Sequence, residues 1–326
     1  MYRFWCEVNE AWREASLVWL GSFIKGCERG IRRDEVELDI WCRRGGWVDN
    51  YSRLVGQVVR GIIGCSIKIF DDVDNPLGID LGGRCIPRES VGIAVSRIAH
   101  LNSMIGDDNF IEALRRIPMS YEDLYATKKR DTYIHCDIDG IFTEWFDLDL
   151  LLDEIEESSS KVLGECIVGV NEYEDIKEAL AETHSKKFIE DLDGVYINAG
   201  LVAFCNFRAI DEEKLIEFLN GRDSYCLEQD YINSRYEKSE ISANWNYTYR
   251  KSKTGVKLLP YFIHFYGKSK PFLENDEKCT DKDIYEYWDE WYCGVIRLRG
   301  ILSDEFIERC RRNFTYARNV IDGLQC

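Results

Sequence analysis

The sequence predicts an α/β protein built on a mainly parallel sheet, and three observations predict it. The first seventy residues alternate strand-like and helix-like periods, which gives β-α-β-α-β and implies right-handed crossovers. A β-branched and aromatic run from Asp131 to Phe142 ends abruptly in Asp137 and Asp139, as a buried strand does at its carboxyl edge. The 326 residues are 45% hydrophobic with only five prolines, enough to bury a large core in one domain or two.

Each element has its own signal. Tyr2 to Val8 alternates enough for a first strand, and Glu10 to Cys27 places Trp12, Leu17, Val18, Leu20 and Ile24 at helical spacings. Val36 to Cys42 is a second strand, Tyr51 to Ile63 a second helix and Cys65 to Phe70 a third strand. Asp71 to Glu89 reads as a surface loop rich in Asp, Gly and Pro, and Ser90 to Met104 as a helix. Gly106 to Lys129 reads as an insertion with one short helix near Phe110 to Ile117. After the Asp137/Asp139 strand comes an acidic, Leu-rich helix from Asp147 to Glu157, capped by Asp147 or Asp149. Ile167 to Val170 is a strand and Ile176 to Ala181 a helix. Tyr196 to Phe204 is a strand interrupted at Asn198-Ala-Gly200. Helices follow at Glu212 to Leu219 and from Glu228, then a late buried strand from Val256 to Phe265 and a helical, aromatic-rich end from Glu274.

Composition excludes some functions. A net charge of −17 argues against a sequence-independent grip on nucleic acid or anionic membrane. Thirteen cysteines are scattered without a Cys-x-x-Cys pair, which predicts reduced thiols in a cytosol-like compartment. The Met1-Tyr-Arg-Phe-Trp start carries no apolar signal segment, and no run approaches the ~18 residues of a membrane span, so the expected location is cytoplasmic. Nothing in the composition excludes a homo-oligomer.

The chemistry concentrates at Asp137 and Asp139. Two apart, they share one face of an ideal strand, and Gly140 lets the backbone turn away. Two carboxylates on one face suit a hard divalent cation with positions left for phosphate oxygens, although a solvated acidic strand end would look the same.

Several pieces then stand in a familiar order: Cys136-Asp-Ile-Asp-Gly140, Tyr196-Ile-Asn-Ala-Gly-Leu-Val202, Leu227-Glu-Gln-Asp-Tyr-Ile-Asn233, Asn244-Trp-Asn246 and Ile263-His-Phe-Tyr-Gly-Lys-Ser-Lys-Pro-Phe272. In this the chain resembles the glycogenin-like and lipopolysaccharide galactosyltransferase-like family of retaining glycosyltransferases, family 8. The resemblance implies a GT-A fold over 1–272, followed by a helical C-terminal extension over 273–326 packed on it. It implies Mn²⁺, or Mg²⁺, held by Asp137, Asp139 and His264; imidazole with carboxylates suits Mn²⁺. It implies a UDP-sugar donor contacted by Arg97, Asp137, Ile138, Asn198, Ala199 and Gly200, with Gly267 and Lys270 on the diphosphate. Gln229 is placed beneath the anomeric carbon, flanked by Glu228 and Asp230. The acceptor would be a glycan, glycolipid or protein.

The chain also departs from the family. An Asp-rich, Asn-Tyr-containing turn commonly ends the family's first strand; here Glu7, Val8, Asn9 and Glu10 stand there, leaving Glu7 and Asn9 as the donor contacts. The stretch from Asp71 to Lys129 is longer than the usual lead-in, and Phe272 replaces a common Trp.

Blander readings accompany each residue. A single His after an aromatic strand is usually a satisfied core histidine. Lys268 and Lys270 fit a solvated turn, Arg97 a surface ion pair, Asn198 to Gly200 a strand bulge, and Glu228 and Asp230 ordinary helix N-terminal acids. Two rival functions remain. A haloacid-dehalogenase-like phosphatase would use Asp137 as nucleophile, Asp139 as acid–base and Mg²⁺, but the acidic pair it needs after a downstream strand is missing. A non-catalytic sugar-nucleotide-binding scaffold would lack metal binding. At the C-terminus Tyr285, Tyr287, Trp288, Trp291 and Tyr292 fit either a helical cap or an acceptor platform.

Overall fold

The computed structural model describes residues 1–70, 95–106, 132–162, 164–207, 209–219, 226–248, 259–265, 270–273 and 287–322. The readings for 71–94, for 107–131 and for Gly267 lie outside them. In chain order the elements begin with β1 (Tyr2–Val8), α1 (Arg13–Cys27), β2 (Val36–Arg43), α2 (Val48–Val59) and β3 (Gly64–Phe70). A helix over 95–106 is α3. Then come β4 (Thr132–Cys136), β5 (Gly140–Phe142), α4 (Leu148–Ser159), β6 (Cys166–Asn171), α5 (Tyr173–Thr183), α6 (Lys186–Asp191) and β7 (Ile197–Cys205). The chain continues through α7 (Glu212–Leu219), α8 (Glu228–Arg235), β8 (Glu237–Glu240), β9 (Phe262–His264), α9 (Trp288–Arg297) and α10 (Asp304–Ile321).

Seven strands form a mixed, mostly parallel sheet in the order β3-β2-β1-β4-β7-β6-β8, flanked by helices. β2 and β3 are parallel, as the β-α-β reading requires. β5 and β9 form a separate two-stranded antiparallel sheet. Backbone contacts divide the chain into two compact units. One comprises Met1–Arg3, Asp71–Ile134 and Glu156–Glu240, the other Phe4–Phe70, His135–Ile155 and Ile241–Cys326.

In the second unit an aromatic core holds α1 to β5. Phe23 lies 5.2 Å from Phe142 and 4.9 Å from Phe4, centroid to centroid, and Phe142 lies 4.7 Å from Phe262. Rings of this size remove much apolar surface from water and fix the direction of their elements. Asp147 is the cap of α4, accepting from the amides of Asp149 and Leu150. Asp149 instead accepts from the amides of Ile31 and Arg32, both at 2.9 Å. At the C-terminus Trp288 and Trp291 are buried, with Trp291 edge-on to Phe265 at 5.9 Å and against Phe272 at 5.1 Å. A Cβ on Gly294 would stand 2.9 Å from Val18 Cγ1, so α9 approaches α1 closely. The two tryptophans are therefore core rings.

In the first unit β6 pairs antiparallel with β7 and parallel with β8. β7 is buried at every position and extends across Asn198-Ala-Gly200. The irregularity expected there lies in its pairing with β6, where β6 advances from Gly169 to Asn171 while β7 runs from Val202 to Ile197, so the extra residues fall on β7 at Asn198 to Leu201. Behind it, Ile176, Leu180, Phe188, Leu192 and Tyr196 form an apolar cluster.

The described cysteines carry free thiols. Burial pushes the Cys42 and Cys65 thiols up to about 12, so they act as small apolar fillers rather than nucleophiles. Among the described residues no helix is long and apolar enough to cross a membrane.

Candidate functional site

β4 delivers the acidic pair. Its residues 133–136 are buried, and the chain leaves the strand at Asp137, half-buried, and Asp139, buried, with Ile138 buried between them. Gly140 then opens β5, which pairs with β9 so that Gly140 faces His264. The Phe265 amide donates to the Asp139 carbonyl at 2.8 Å. This ladder places Asp139 and His264 together. It also gives Gly140 a reason beyond the expected turn: a Cβ there would lie 2.2 Å from the Phe262 ring and 2.6 Å from the Ile263 carbonyl oxygen. No other residue allows so close an approach.

One ligand atom from each of Asp137, Asp139 and His264 lies within 4.8 Å of the others. His264 Nε2 is 3.1 Å from Asp139 Oδ1 and 3.6 Å from Asp137 Oδ2. Lys270, buried, donates to Asp139 Oδ2 and, at 3.0 Å, to the Phe265 carbonyl. Its Nζ sits 5.1 Å from the centre of the Trp12 ring, a cation–π contact. His135, one turn of the strand behind Asp137, holds Nε2 3.8 Å from Asp137 Oδ1 and packs on Trp5 at 4.4 Å.

Burial works against charge on Asp139, but the His264 and Lys270 charges and hydrogen bonds outweigh it and hold its carboxyl below the usual range. Burial likewise disfavours charge on His264, yet Asp139 wins and raises its pKa. The cluster is thus a compact set of paired charges, and its donor set fits a divalent cation. Ligand atoms about 2.0–2.3 Å from a common ion lie within roughly 4.6 Å of one another, close to the spread seen here. Two carboxylates and one imidazole make a mixed oxygen and nitrogen donor set that a divalent metal ion accepts.

The first unit holds the other expected residues in one hydrogen-bonded group. Arg97 on α3 donates to Glu228 at 2.6 Å. The Ala199 amide donates to Gln229 Oε1 at 2.8 Å, tying β7 to α8. Asn198 Nδ2 donates to Glu172, while its Oδ1 accepts from the Gly200 amide at 2.7 Å. Asp230 is fully buried. It accepts from the Tyr196 hydroxyl at 2.6 Å and from the Cys226 amide, and His184 Nε2 lies 3.2 Å away. Asn233 bridges the helix and strand, accepting from the Ile197 amide at 2.6 Å and donating to the carbonyls of Ile197 and Gln229. Leu227, just before α8, has φ +57°, a strained conformation for a branched side chain that this network holds in place.

Asn9 spends its side chain on the local chain, accepting from the Trp12 amide at 3.0 Å, and Glu7 is half-buried on β1. Glu172, His184, Cys226 and His135 carried no role in the sequence reading, nor did Tyr196 and Asn233, although these two lie in the ordered motifs. Asn246, bonded to His264, had the same signal, since Asn244-Trp-Asn246 is another of the ordered motifs.

No family model matches the chain, and no curated protein matches it. Solved structures do. A galactosyltransferase, LgtC, in complex with donor and acceptor sugar analogs shares 16% identity over 92% of this chain and all of that one, at a TM-score of 0.53. An active-site mutant of LgtC gives 14% identity with the same coverage, at 0.54. The chain has the GT-A fold. In this GT-A fold the Asp-x-Asp segment leaves the sheet at the carboxyl end of β4, the edge where open α/β sheets bind ligands.

Proposed function

We propose that the chain is a metal-dependent hexosyltransferase of the family 8 type. It transfers a hexose from a UDP-sugar to a glycan, glycolipid or protein acceptor with retention of anomeric configuration. In this reading 1–272 form the transferase domain, 273–326 a helical extension packed on it, and the protein works in the cytoplasm. The observation that carries the reading is the meeting of Asp137, Asp139, His264 and Lys270 at the end of β4, in a chain with a GT-A fold.

Asp137, Asp139 and His264 would hold the cation. When bound, a divalent cation supplies Lewis-acid stabilisation of the charge developing on the leaving diphosphate. Lys270 adds a fixed ammonium, already desolvated and therefore costing little reorganisation. Gly267 would bring backbone amides to the phosphates. Glu7, Asn9 and Arg97, with Ile138, complete the donor contacts, and Asn198, Ala199, Gly200 and Gln229 take the sugar.

The state of α8 supports front-face attack over a covalent intermediate. Gln229 is a weak nucleophile whose Oε1 already accepts from Ala199; the Glu228 carboxylate is engaged by Arg97, and Asp230 by Tyr196, Cys226 and His184. A carboxylate in such a network would have to break it to attack an anomeric carbon.

The deciding experiment is a screen of nucleotide sugars with Mn²⁺, with UDP and inorganic phosphate read in parallel. UDP release is expected; phosphate release from simple esters points to the phosphatase, and no Mn²⁺ binding at all points to the scaffold.

Lys270→Ala tests the diphosphate role. It is expected to lower both turnover and UDP affinity by about 1.5–3 kcal/mol, the value of one charge-assisted contact. Calorimetric titration with UDP checks it, and unchanged affinity with unchanged rate removes Lys270 from the site.

A further inference from the structure

Asn246 is buried and bonded to the far side of the histidine that the proposed function makes a metal ligand. Its backbone is fixed on several sides. Ser242 caps the short 3₁₀ turn Ala243–Asn246 by accepting from the Asn244 amide. Trp245, fully buried, packs on Tyr261 at 4.4 Å. The next residue, Tyr247, joins β9 as a parallel bridge to Ile263: its amide donates to the Phe262 carbonyl, and its carbonyl accepts from the His264 amide, both at 2.9 Å. β9 is thus held between β5, which brings Asp139, and this segment, which brings Asn246.

The contact itself is His264 Nδ1 to Asn246 Oδ1, 3.1 Å. An amide oxygen can only accept, so Nδ1 carries the hydrogen. A neutral imidazole then has its lone pair on Nε2, the atom facing Asp139 Oδ1 and Asp137 Oδ2 at 3.1 and 3.6 Å. Without Asn246 the balance reverses. Two carboxylate acceptors beside Nε2 would draw the single hydrogen onto that nitrogen, and an N–H cannot ligate a metal.

We infer that Asn246 is a positioning residue that holds His264 in the Nδ1–H tautomer, and so presents Nε2 as a lone pair to a divalent cation shared with Asp137 and Asp139. This rests on the metal reading above and specifies what keeps that site competent.

The test is Mn²⁺ titration of the full chain, with free Mn²⁺ read by electron paramagnetic resonance and thermal unfolding followed on the same samples. Asn246→Leu, close in shape but unable to accept, is expected to weaken Mn²⁺ binding about 10–100-fold. Asn246→Asp keeps an acceptor and is expected to restore binding to near the unsubstituted value. A folded Asn246→Leu chain that binds Mn²⁺ as tightly as the parent overturns the inference and leaves the metal reading standing. A parent chain that binds no Mn²⁺ overturns both. A measurement on the parent covers the case in which Asn246→Leu does not fold. Histidine ¹⁵N shifts at alkaline pH with Mg²⁺, assigned by His264→Gln, are expected to show His264 protonated at Nδ1. Protonation at Nε2 overturns the inference.

Discussion

Replacing Asp139 with Asn is expected to remove tight Mn²⁺ binding and donor turnover together. The loss should exceed the roughly 10–100-fold that an outer-shell partner carries, because a ligand charge disappears rather than an orientation. Asp139 is the hub of the second unit's charges: one oxygen faces His264, the other accepts from Lys270, and its backbone carbonyl accepts from Phe265. Asn keeps the size and one acceptor but not the charge. The buried Lys270 ammonium then retains the Phe265 carbonyl and the Trp12 face without a counter-charge, so some stability goes as well. The experiment is paramagnetic Mn²⁺ titration and UDP release well below the melting temperature of the variant. Mn²⁺ affinity close to that of the parent would take Asp139 out of the metal site.

Asp230→Ala is expected to act on the fold rather than on chemistry, lowering unfolding free energy by about 3–5 kcal/mol, as when one partner of a buried charged network is removed. Its buried carboxylate receives the Tyr196 hydroxyl and the Cys226 amide beside the His184 ring. Burial, and next the Asp230 charge, push the Tyr196 phenol well above its ordinary pKa, so that phenol stays a donor, and Ala would remove its carboxylate acceptor. The Cys226 bond also holds the turn in which Leu227 takes its positive φ. Asp230→Asn keeps an acceptor and should lose less. Urea denaturation measures both variants. Parent-like stability with abolished turnover would instead return Asp230 to the role of a reacting carboxylate.

These expectations show which parts of the molecule the sequence made legible. Long periodic segments such as α1, α2 and β2 were readable because one face must be buried whatever else happens. Asp137, Asp139 and His264 could be picked out by residue type and order, and the structure brings them together. What escaped depends on partners distant in the chain. β9 lies inside the late strand expected up to Phe265, but β5 is only three residues long, too short for periodicity to register, and its pairing with β9 makes it a separate strand. β8 is the tetrapeptide Glu-Lys-Ser-Glu, whose polarity conceals a strand paired along β6. The Asn198-Ala-Gly200 stretch suggested an interruption because Asn and Gly are poor strand formers, and the pairing with β6 is irregular there, with Asn198 bonded to Glu172 and Ala199 to Gln229. The helical stretch after Glu274 was visible, but whether Trp288 and Trp291 faced water was not, since that depended on α1 and Phe272.

The pairing of β5 with β9 has a consequence for how the protein is made. Asp139 and Lys270 are 131 residues apart in the chain. At ribosomal speeds of about 5–20 residues per second, that separation is roughly 7 to 26 s of synthesis. Over that interval the nascent chain carries an acidic turn with neither its lysine nor its histidine, and β5 has no strand to pair with. The segment that closes this gap arrives late, so a chain stalled or truncated before His264 retains the Asp-x-Asp sequence without the charge balance that shapes it.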